Sequence, residues 1–431
     1  MKYAIVGAGG RHQMFRRAVT ETHKQGNELV ALCDVNEKRL ALSVREAPPQ
    51  PGNGIATYAA VDFDRMISEQ KPDTVIVTVP DYLHHEYIVR ALRAGCNVMT
   101  EKPMTIDLVK LKAVLDAQQE TGKNVTVTFN YRYTPARTQL KDILLSGVIG
   151  DIQAVDFRWY LDRVHGADYF RRWHRYKDKS GGLLVHKSTH HFDLMNWWVG
   201  STPVSVAANG KRAFYTPATA AALGLEGHGD RCQDCPVFDR CDYRLDLDAD
   251  EELREMYLDT EDADGYYRDR CVWASDITIE DTMQVEAAYA NGVFLNYTLC
   301  AYSPWEGLEI TFQGSKGDLT HKHVEVHGVF GGQRDKAAGE NMTTTLHLAG
   351  QRPQQIDVWA GEGDHGGADP VMLGYLFDPA TMPEDKYGRA SSHREGAWSI
   401  LTGIAANKAI ATGTKVDVDA MLAEAGIELG R

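Results

Sequence analysis

The string Gly7-Ala8-Gly9-Gly10-Arg11-His12 follows directly on a short apolar run at residues 3–6. Glycines in such a turn let backbone N–H groups approach a pyrophosphate at the N-terminus of the following helix. The third fingerprint position, ordinarily Gly or Ala, is His12, so the match is partial. Asp34 closes the next apolar run, Leu29 to Cys33. A carboxylate there accepts hydrogen bonds from an adenosine ribose and repels a 2′-phosphate, which predicts NAD over NADP. A second group with chemistry is sulfur. Four of the seven cysteines lie between Cys232 and Cys271. Cys232-x2-Cys235 forms a knuckle, Cys241 and Cys271 add two thiolates, and the set fits a tetrahedral structural zinc. Cys235-Pro236 also suits iron–sulfur ligation, and free thiols are the third reading. Cys33, Cys96 and Cys300 read as small core residues.

The elements that must position these groups follow from periodicity. Residues 74–79 (Thr-Val-Ile-Val-Thr-Val) are a β-branched run, as in a strand buried on both faces. Short strands are predicted at 3–6, 29–33, 98–99 and 125–129, and helices at 13–24, 36–44, 84–94 and 106–121. Strands alternating with helices at this pitch predict a doubly wound parallel sheet. Beyond about residue 130 the pattern changes to longer alternating strands at 154–160, 204–208, 282–289, 293–299 and 308–313. Asn291-Gly292 is a hairpin signal between two of them. Helices are predicted at 136–147, 189–199 and 392–412, and residues 330–365 read as loop. The fold class is therefore α/β: an N-terminal Rossmann domain over 1–125, then an α+β domain over 126–431 with a large open mixed or antiparallel sheet. A polar, acidic, Cys-bearing insertion occupies about 223–275.

With 431 residues the chain exceeds one ordinary core. Its net charge of −14 disfavours nucleic acid and anionic membranes as partners. No run reaches the roughly 20 apolar residues of a membrane span, and the start of the chain lacks a signal-peptide pattern. A cytoplasmic protein is expected.

Pro80-Asp81-Tyr82-Leu83-His84, Glu101-Lys102-Pro103 and Asn130-Tyr131-Arg132-Tyr133-Thr134-Pro135 follow one another along the first third of the chain. Gly181-Gly182 leads into His186-Lys187-Ser188-Thr189-His190-His191-Phe192-Asp193. In this order the motifs resemble the Gfo/Idh/MocA family of sugar and cyclitol dehydrogenases, with Glu-Lys-Pro as its hallmark. The resemblance covers nearly the whole chain. It implies cofactor contacts from Gly7, Gly9, Gly10, Arg11, Asp34, Pro80, His84, Glu101 and Lys102. It also implies a carbohydrate substrate and a homo-oligomer, dimer or tetramer. One departure stands out: the family's catalytic Asp position is His186 here, followed by Lys187, and His191 doubles His190.

Hydride transfer from a hydroxyl needs a base with a pKa near operating pH. Lys102 and Lys187 are the candidates, because neighbouring cations lower a lysine pKa; His190 and Tyr131 come next. His186, His191 and Asp193 are expected at the substrate. So are Arg171, Arg172 and Arg175, three cations among aromatics in an acidic chain, where guanidinium forks suit an anionic sugar. The alternative for these arginines is pairing with carboxylates of their own domain. The resulting expectation is an NAD-dependent enzyme that oxidises a ring hydroxyl, the 3-hydroxyl in particular. The competing readings are an NAD-dependent glycosidase working by oxidation, elimination, hydration and reduction, and a non-catalytic sensor.

Overall fold

The computed structural model describes residues 1–49, 54–330, 333–335, 341–361 and 364–431. The chain divides into two compact units, and both are discontinuous. The first comprises Met1–Pro135, Leu247–Tyr267 and Gly361–Ile400; the second comprises Ala136–Asp246, Arg268–Ala360 and Leu401–Arg431. Contiguous halves meeting at 125/126 were expected; instead two later stretches join the N-terminal unit.

The first unit is built on six parallel strands: β1 (Lys2–Val6), β2 (Glu28–Asp34), β3 (Ala56–Ala59), β4 (Thr74–Val77), β5 (Asn97–Thr100) and β6 (Val125–Val127). Their order is β3-β2-β1-β4-β5-β6. Every residue of β4 is buried, which is why its sequence is a β-branched run instead of an alternation. Strand order reverses between β1 and β4, and ligands bind such sheets at the carboxyl ends beside this switch point. Asn36 and Asp107 cap the helices Glu37–Glu46 and Leu108–Thr121 by accepting from Arg39 and Lys110 N–H. The helix expected over 13–24 is α-helical only over His12–Arg17 and continues as a π turn over Ala18–Thr22. There the Thr20 hydroxyl bonds back to the Arg16 carbonyl at 2.9 Å.

The second unit carries a mixed sheet of β7 (Ile152–Asp162), β8 (Pro203–Lys211), β9 (Thr282–Tyr289), β10 (Phe294–Ser303), β11 (Glu306–Gly314), β12 (Gly317–Phe330), β13 (Gln333–Asp335), β14 (Asn341–Leu348), β15 (Gln354–Ile356) and β16 (Val416–Asp417). The order is β15-β14-β12-β11-β7-β10-β9-β8-β16, with β13 on β12. Only β7 and β10 run parallel among these pairs. Alternation along β9 and β10 buries one face. Phe157, Tyr297 and Phe312 of that face meet Phe192 and Trp198 of the helix Thr189–Val199. The loop expected over 330–365 holds, where described, the strands β13, β14 and β15, and Asn341–Leu348 pairs with β12. Residues 331–332, 336–340 and 362–363 of that range lie outside the described residues.

Candidate active site

The nucleotide half stands at the carboxyl ends of β1, β2, β4 and β5. Gly7 leaves β1 with φ of +97°, and a Cβ there would come within 2.6 Å of the Thr78–Val79 backbone. Only glycine permits that approach. A Cβ on Gly9 would meet nothing within 4 Å, so the turn keeps an open side. Asp34 is held by backbone donors: Oδ2 accepts from Ala8 N–H at 2.5 Å and Oδ1 from Asn36 N–H at 2.7 Å. The acid is thereby fixed at the end of β2, where this fold places a ribose. His12, the fingerprint departure, turns inward. Its Nδ1 lies 2.5 Å from the Gly9 carbonyl and its Nε2 2.7 Å from Ser43 Oγ. Burial, only partly offset by the bond to Gly9, pulls its pKa down to about 4. A neutral imidazole thus pins the glycine turn to the helix Glu37–Glu46.

Glu101-Lys102-Pro103 follows β5. Glu101 is buried, and its Oε1 accepts from Arg11 Nε at 2.8 Å and Thr128 Oγ1 at 3.1 Å. Arg11 also reaches Asp369 at 3.5 Å, and Asp369 Oδ1 accepts from Asn130 Nδ2 at 2.7 Å. Arg11 and Glu101 are therefore tied to each other, and they brace the loop that carries half-buried Lys102. Asp369, on the helix Asp364–Phe377, gave no local signal in the sequence. His84 is buried, with Nδ1 2.7 Å from the Pro103 carbonyl and Nε2 2.8 Å from that of Val79, so it joins the loops after β4 and β5. Pro80 is half-buried in the first of these loops, and Tyr131 is buried on the turn Asn130–Tyr133.

In the second unit β7 ends at Asp162, whose carboxylate caps the helix Arg163–Arg171 through Val164 and His165 N–H at 2.7 and 2.8 Å. Gly166 lets that helix lie on β10, since a Cβ would stand 1.8 Å from the Ala301 carbonyl oxygen. His165 and Tyr169, one turn apart, share a face. His165 Nε2 is 2.9 Å from Tyr169 OH, and Nδ1 is 2.7 Å from Glu306 Oε1 at the start of β11. Burial is the largest influence on Glu306 and raises its pKa. The charge and hydrogen bond of His165, then the charge of Lys187, outweigh it and hold the pKa at about 2. An ionised Glu306 accepts from Nδ1–H, and Nε2 can exchange a proton with the Tyr169 hydroxyl: a protonated ring donates to the phenol oxygen, a neutral one accepts from the phenol. Carboxylate, imidazole and phenol form a relay that can move a proton.

Lys187 lies between the helices Leu183–His186 and Thr189–Val199. It is buried, with Nζ 4.8 Å from the Trp159 ring centroid. His186 packs edge-on against His174 and Tyr169, with ring centroids at 4.2 and 5.3 Å. His190 and Asp193 are buried as well. His191, also expected at the substrate, is fully buried: it stacks on Trp159 at 4.3 Å, and its Nδ1 is 2.7 Å from Tyr297 OH.

Two family models match the chain in series: an oxidoreductase family's NAD-binding Rossmann fold over residues 1–129, and the same family's C-terminal alpha/beta domain over 141–418. The chain belongs to the Gfo/Idh/MocA oxidoreductase family. YteT of Bacillus subtilis, named as an oxidoreductase, is 34% identical over 397 residues, 90% of this chain and 91% of its own length. The D-glucoside 3-dehydrogenase of Escherichia coli is 28% identical over 53% of this chain and 62% of its own. The solved structure of the WlbA dehydrogenase from Bordetella pertussis, in complex with NADH and UDP-GlcNAcA, shares the fold. It has a TM-score of 0.63 and 18% identity, over 97% of this chain and 98% of that one.

As a Gfo/Idh/MocA oxidoreductase the chain carries an NAD-binding Rossmann domain, and its His186-Lys187 departure is built into a buried basic cluster. The arginines expected at the substrate are engaged within their own unit. Arg171 donates to the Tyr243 carbonyl and lies 3.8 Å from Cys232 Sγ. Arg172 pairs with Asp168 at 3.3 Å, and Arg175, almost fully buried, pairs with Asp276 at 2.6 Å. Arg171 and Arg175 thus fasten the Cys-bearing segment. The thiols are satisfied by the protein: Cys232 and Cys235 accept from Leu245 and Gly229 N–H, each at 3.3 Å, and Cys271 Sγ lies 3.4 Å from His228 Nδ1. Burial first, then the neighbouring Cys232, Cys241 and Cys235, push the Cys271 thiol up to about 11. Among the described residues no three His, Cys, Asp or Glu side chains are grouped so as to hold a metal, so the zinc expected at Cys232, Cys235, Cys241 and Cys271 finds no support. No described helix is long and apolar enough to cross a membrane.

Proposed function

We propose that this protein oxidises a ring hydroxyl of a sugar or glycoside, the 3-hydroxyl in particular, with NAD as acceptor. Bound nicotinamide supplies the hydride acceptor; the chain must hold it and take the hydroxyl proton. Gly7, Gly9, Gly10 and Pro80 face the dinucleotide, and Asp34 favours NAD over NADP by its charge. Lys102 is the base in the nucleotide unit. The observation that carries the reading is the Glu306–His165–Tyr169 relay with Lys187 acting on Glu306. A carboxylate ionised at neutral pH orients an imidazole that in turn activates a phenol, as proton transfer at a sugar hydroxyl requires. The activity in the name of the Escherichia coli relative supports the 3-hydroxyl.

The same relay favours a second reading, because it adds proton-transfer groups beyond the single base that oxidation consumes. Oxidation at C3 acidifies the C2–H. Loss of that proton expels the protonated aglycone, water adds to the resulting double bond, and return of the hydride to C3 makes the net reaction hydrolysis.

One experiment separates the readings. Aryl glycosides, neutral and anionic, are incubated with NAD in stoichiometric or catalytic amount. Accumulating reduced cofactor that disappears with a 3-deoxy glycoside supports oxidation. Phenol release on catalytic NAD without net reduction supports hydrolysis. Neither signal on any sugar overturns both and leaves a binding protein.

A further inference from the structure

Leu247–Tyr267 comes from the polar insertion late in the sequence, yet it belongs to the nucleotide unit. It packs on the helix Glu37–Glu46 and the turn before it, the region directly after Asp34. Met256 and Tyr257, with Leu253 and Tyr266, cover Leu42. The Thr260 carbonyl accepts from Asn36 Nδ2 at 2.8 Å, Asp262 pairs with Lys38 at 2.6 Å, and Glu255 pairs with Arg45 at 2.8 Å. Tyr257 OH lies 3.3 Å from the Gly10 N–H of the glycine turn.

One of these contacts changes what the site can bind. Arg39 lies five positions after Asp34. In Rossmann domains that take NADP, an arginine near the acid position receives the 2′-phosphate. Here the Arg39 guanidinium is closed onto Asp264, with both side chains about nine-tenths buried. Its Nε has no hydrogen-bond partner among the described residues, so the guanidinium retains a donor but is held in place by the insertion. Opening the pair would strand two buried charges, and that cost keeps it closed.

We propose that Asp264 is a cofactor-specificity residue. It withholds Arg39 from the ribose end of the dinucleotide and brings a second carboxylate to the helix after Asp34, so the insertion itself enforces NAD over NADP. The inference rests on the NAD-binding reading of this unit and deepens it. It explains how so acidic a stretch stays with the Rossmann sheet: its carboxylates are matched to Lys38, Arg39 and Arg45.

The test is the dissociation constant of NAD and of NADP for the full-length protein by calorimetry. Four proteins are compared: native, Asp264→Asn, Asp264→Ala, and Asp264→Ala with Arg39→Ala. Native protein should prefer NAD. Asp264→Ala should tighten NADP roughly tenfold or more, the scale of one charge-assisted contact, while NAD stays within about threefold. Asp264→Asn, which keeps the shape and serves if the alanine variant fails to fold, should show the same direction. The gain should vanish in the double variant, because the freed Arg39 is its source. Unchanged NADP affinity in the foldable single variants, or equal changes for both dinucleotides, overturns the proposal. If native protein binds neither dinucleotide, the NAD reading itself falls and takes this inference with it.

Discussion

Replacing Glu306 with glutamine keeps the shape of the side chain and removes its charge. Glu306 is buried, with its pKa lowered from an ordinary 4.5 to about 2. A shift of that size corresponds to about 3 kcal/mol at neutral pH, at about 1.4 kcal/mol per unit. His165, its partner, is one-third exposed; water there screens the pair, and about 2 kcal/mol is the working figure. The sign follows from the direction. A depressed carboxylate stabilises the fold above its unfolded pKa, and that contribution fades as pH falls from about 4.5 towards 2. Urea unfolding followed by tryptophan fluorescence suits the test. All tryptophans except Trp398 lie in the second unit, so the signal reports the unit that holds the pair. Native protein should exceed Glu306→Gln by about 2 kcal/mol at pH 7, and the gap should close towards pH 2.5. A gap equal at both pH values would show that hydrogen bonding or packing, and not charge, is what Glu306 contributes. No gap at all would refute the ion-pair argument.

Lys102→Ala should lower turnover at least about a hundredfold, the scale of a lost general base, with NAD affinity within about threefold by calorimetry; near-native turnover would move the base to Lys187 or Tyr169. Gly403→Ala would place a Cβ 2.2 Å from the Leu184 carbonyl oxygen and push the helix that presents His186 and Lys187. It should cost about 1–3 kcal/mol by overpacking and depress kcat more than it raises KM; native kinetics would show that the cluster tolerates the shift. Arg175→Ala should lower stability by about 1–2 kcal/mol through lost packing and its half-exposed pair, and leave the ratio of turnover on neutral and anionic glycosides unchanged. A loss confined to anionic glycosides would restore Arg175 as a substrate contact. With its thiol at about 11, Cys271 should alkylate at pH 8 far more slowly than a free cysteine, as peptide mapping after iodoacetamide would report.

The Rossmann half was legible in the sequence because its determinants are local. A strand buried on both faces is written as a β-branched run, and Thr74–Val77 follows that run. The glycine turn and Asp34 are adjacent in meaning because β1 and β2 are adjacent in the sheet. The long alternating strands and the helix Thr189–Val199 were legible for the same reason. By contrast β3, half-exposed and only four residues long, carries too little periodicity to read, and the Thr-rich β14 looks polar until β12 is beside it.

What the sequence could not determine lies in contacts between distant positions. Glu306 meets His165 across 141 residues because β11 pairs with β7 in the register that sets Gly307 against Tyr160, and Arg11 meets Asp369 across 358. No local pattern marks either partner, so both acids went unread. Two of the arginines read as an anion site, Arg171 and Arg175, also meet partners in segments that only the folded chain brings up, the Tyr243 carbonyl and Asp276. Composition alone set the insertion apart as acidic and polar, but it could not say that the acids at 255, 262 and 264 would close on the three cations of one helix. Periodicity records which face of an element is buried; it does not record against what. That is decided by strand order and register, which depend on the whole chain at once.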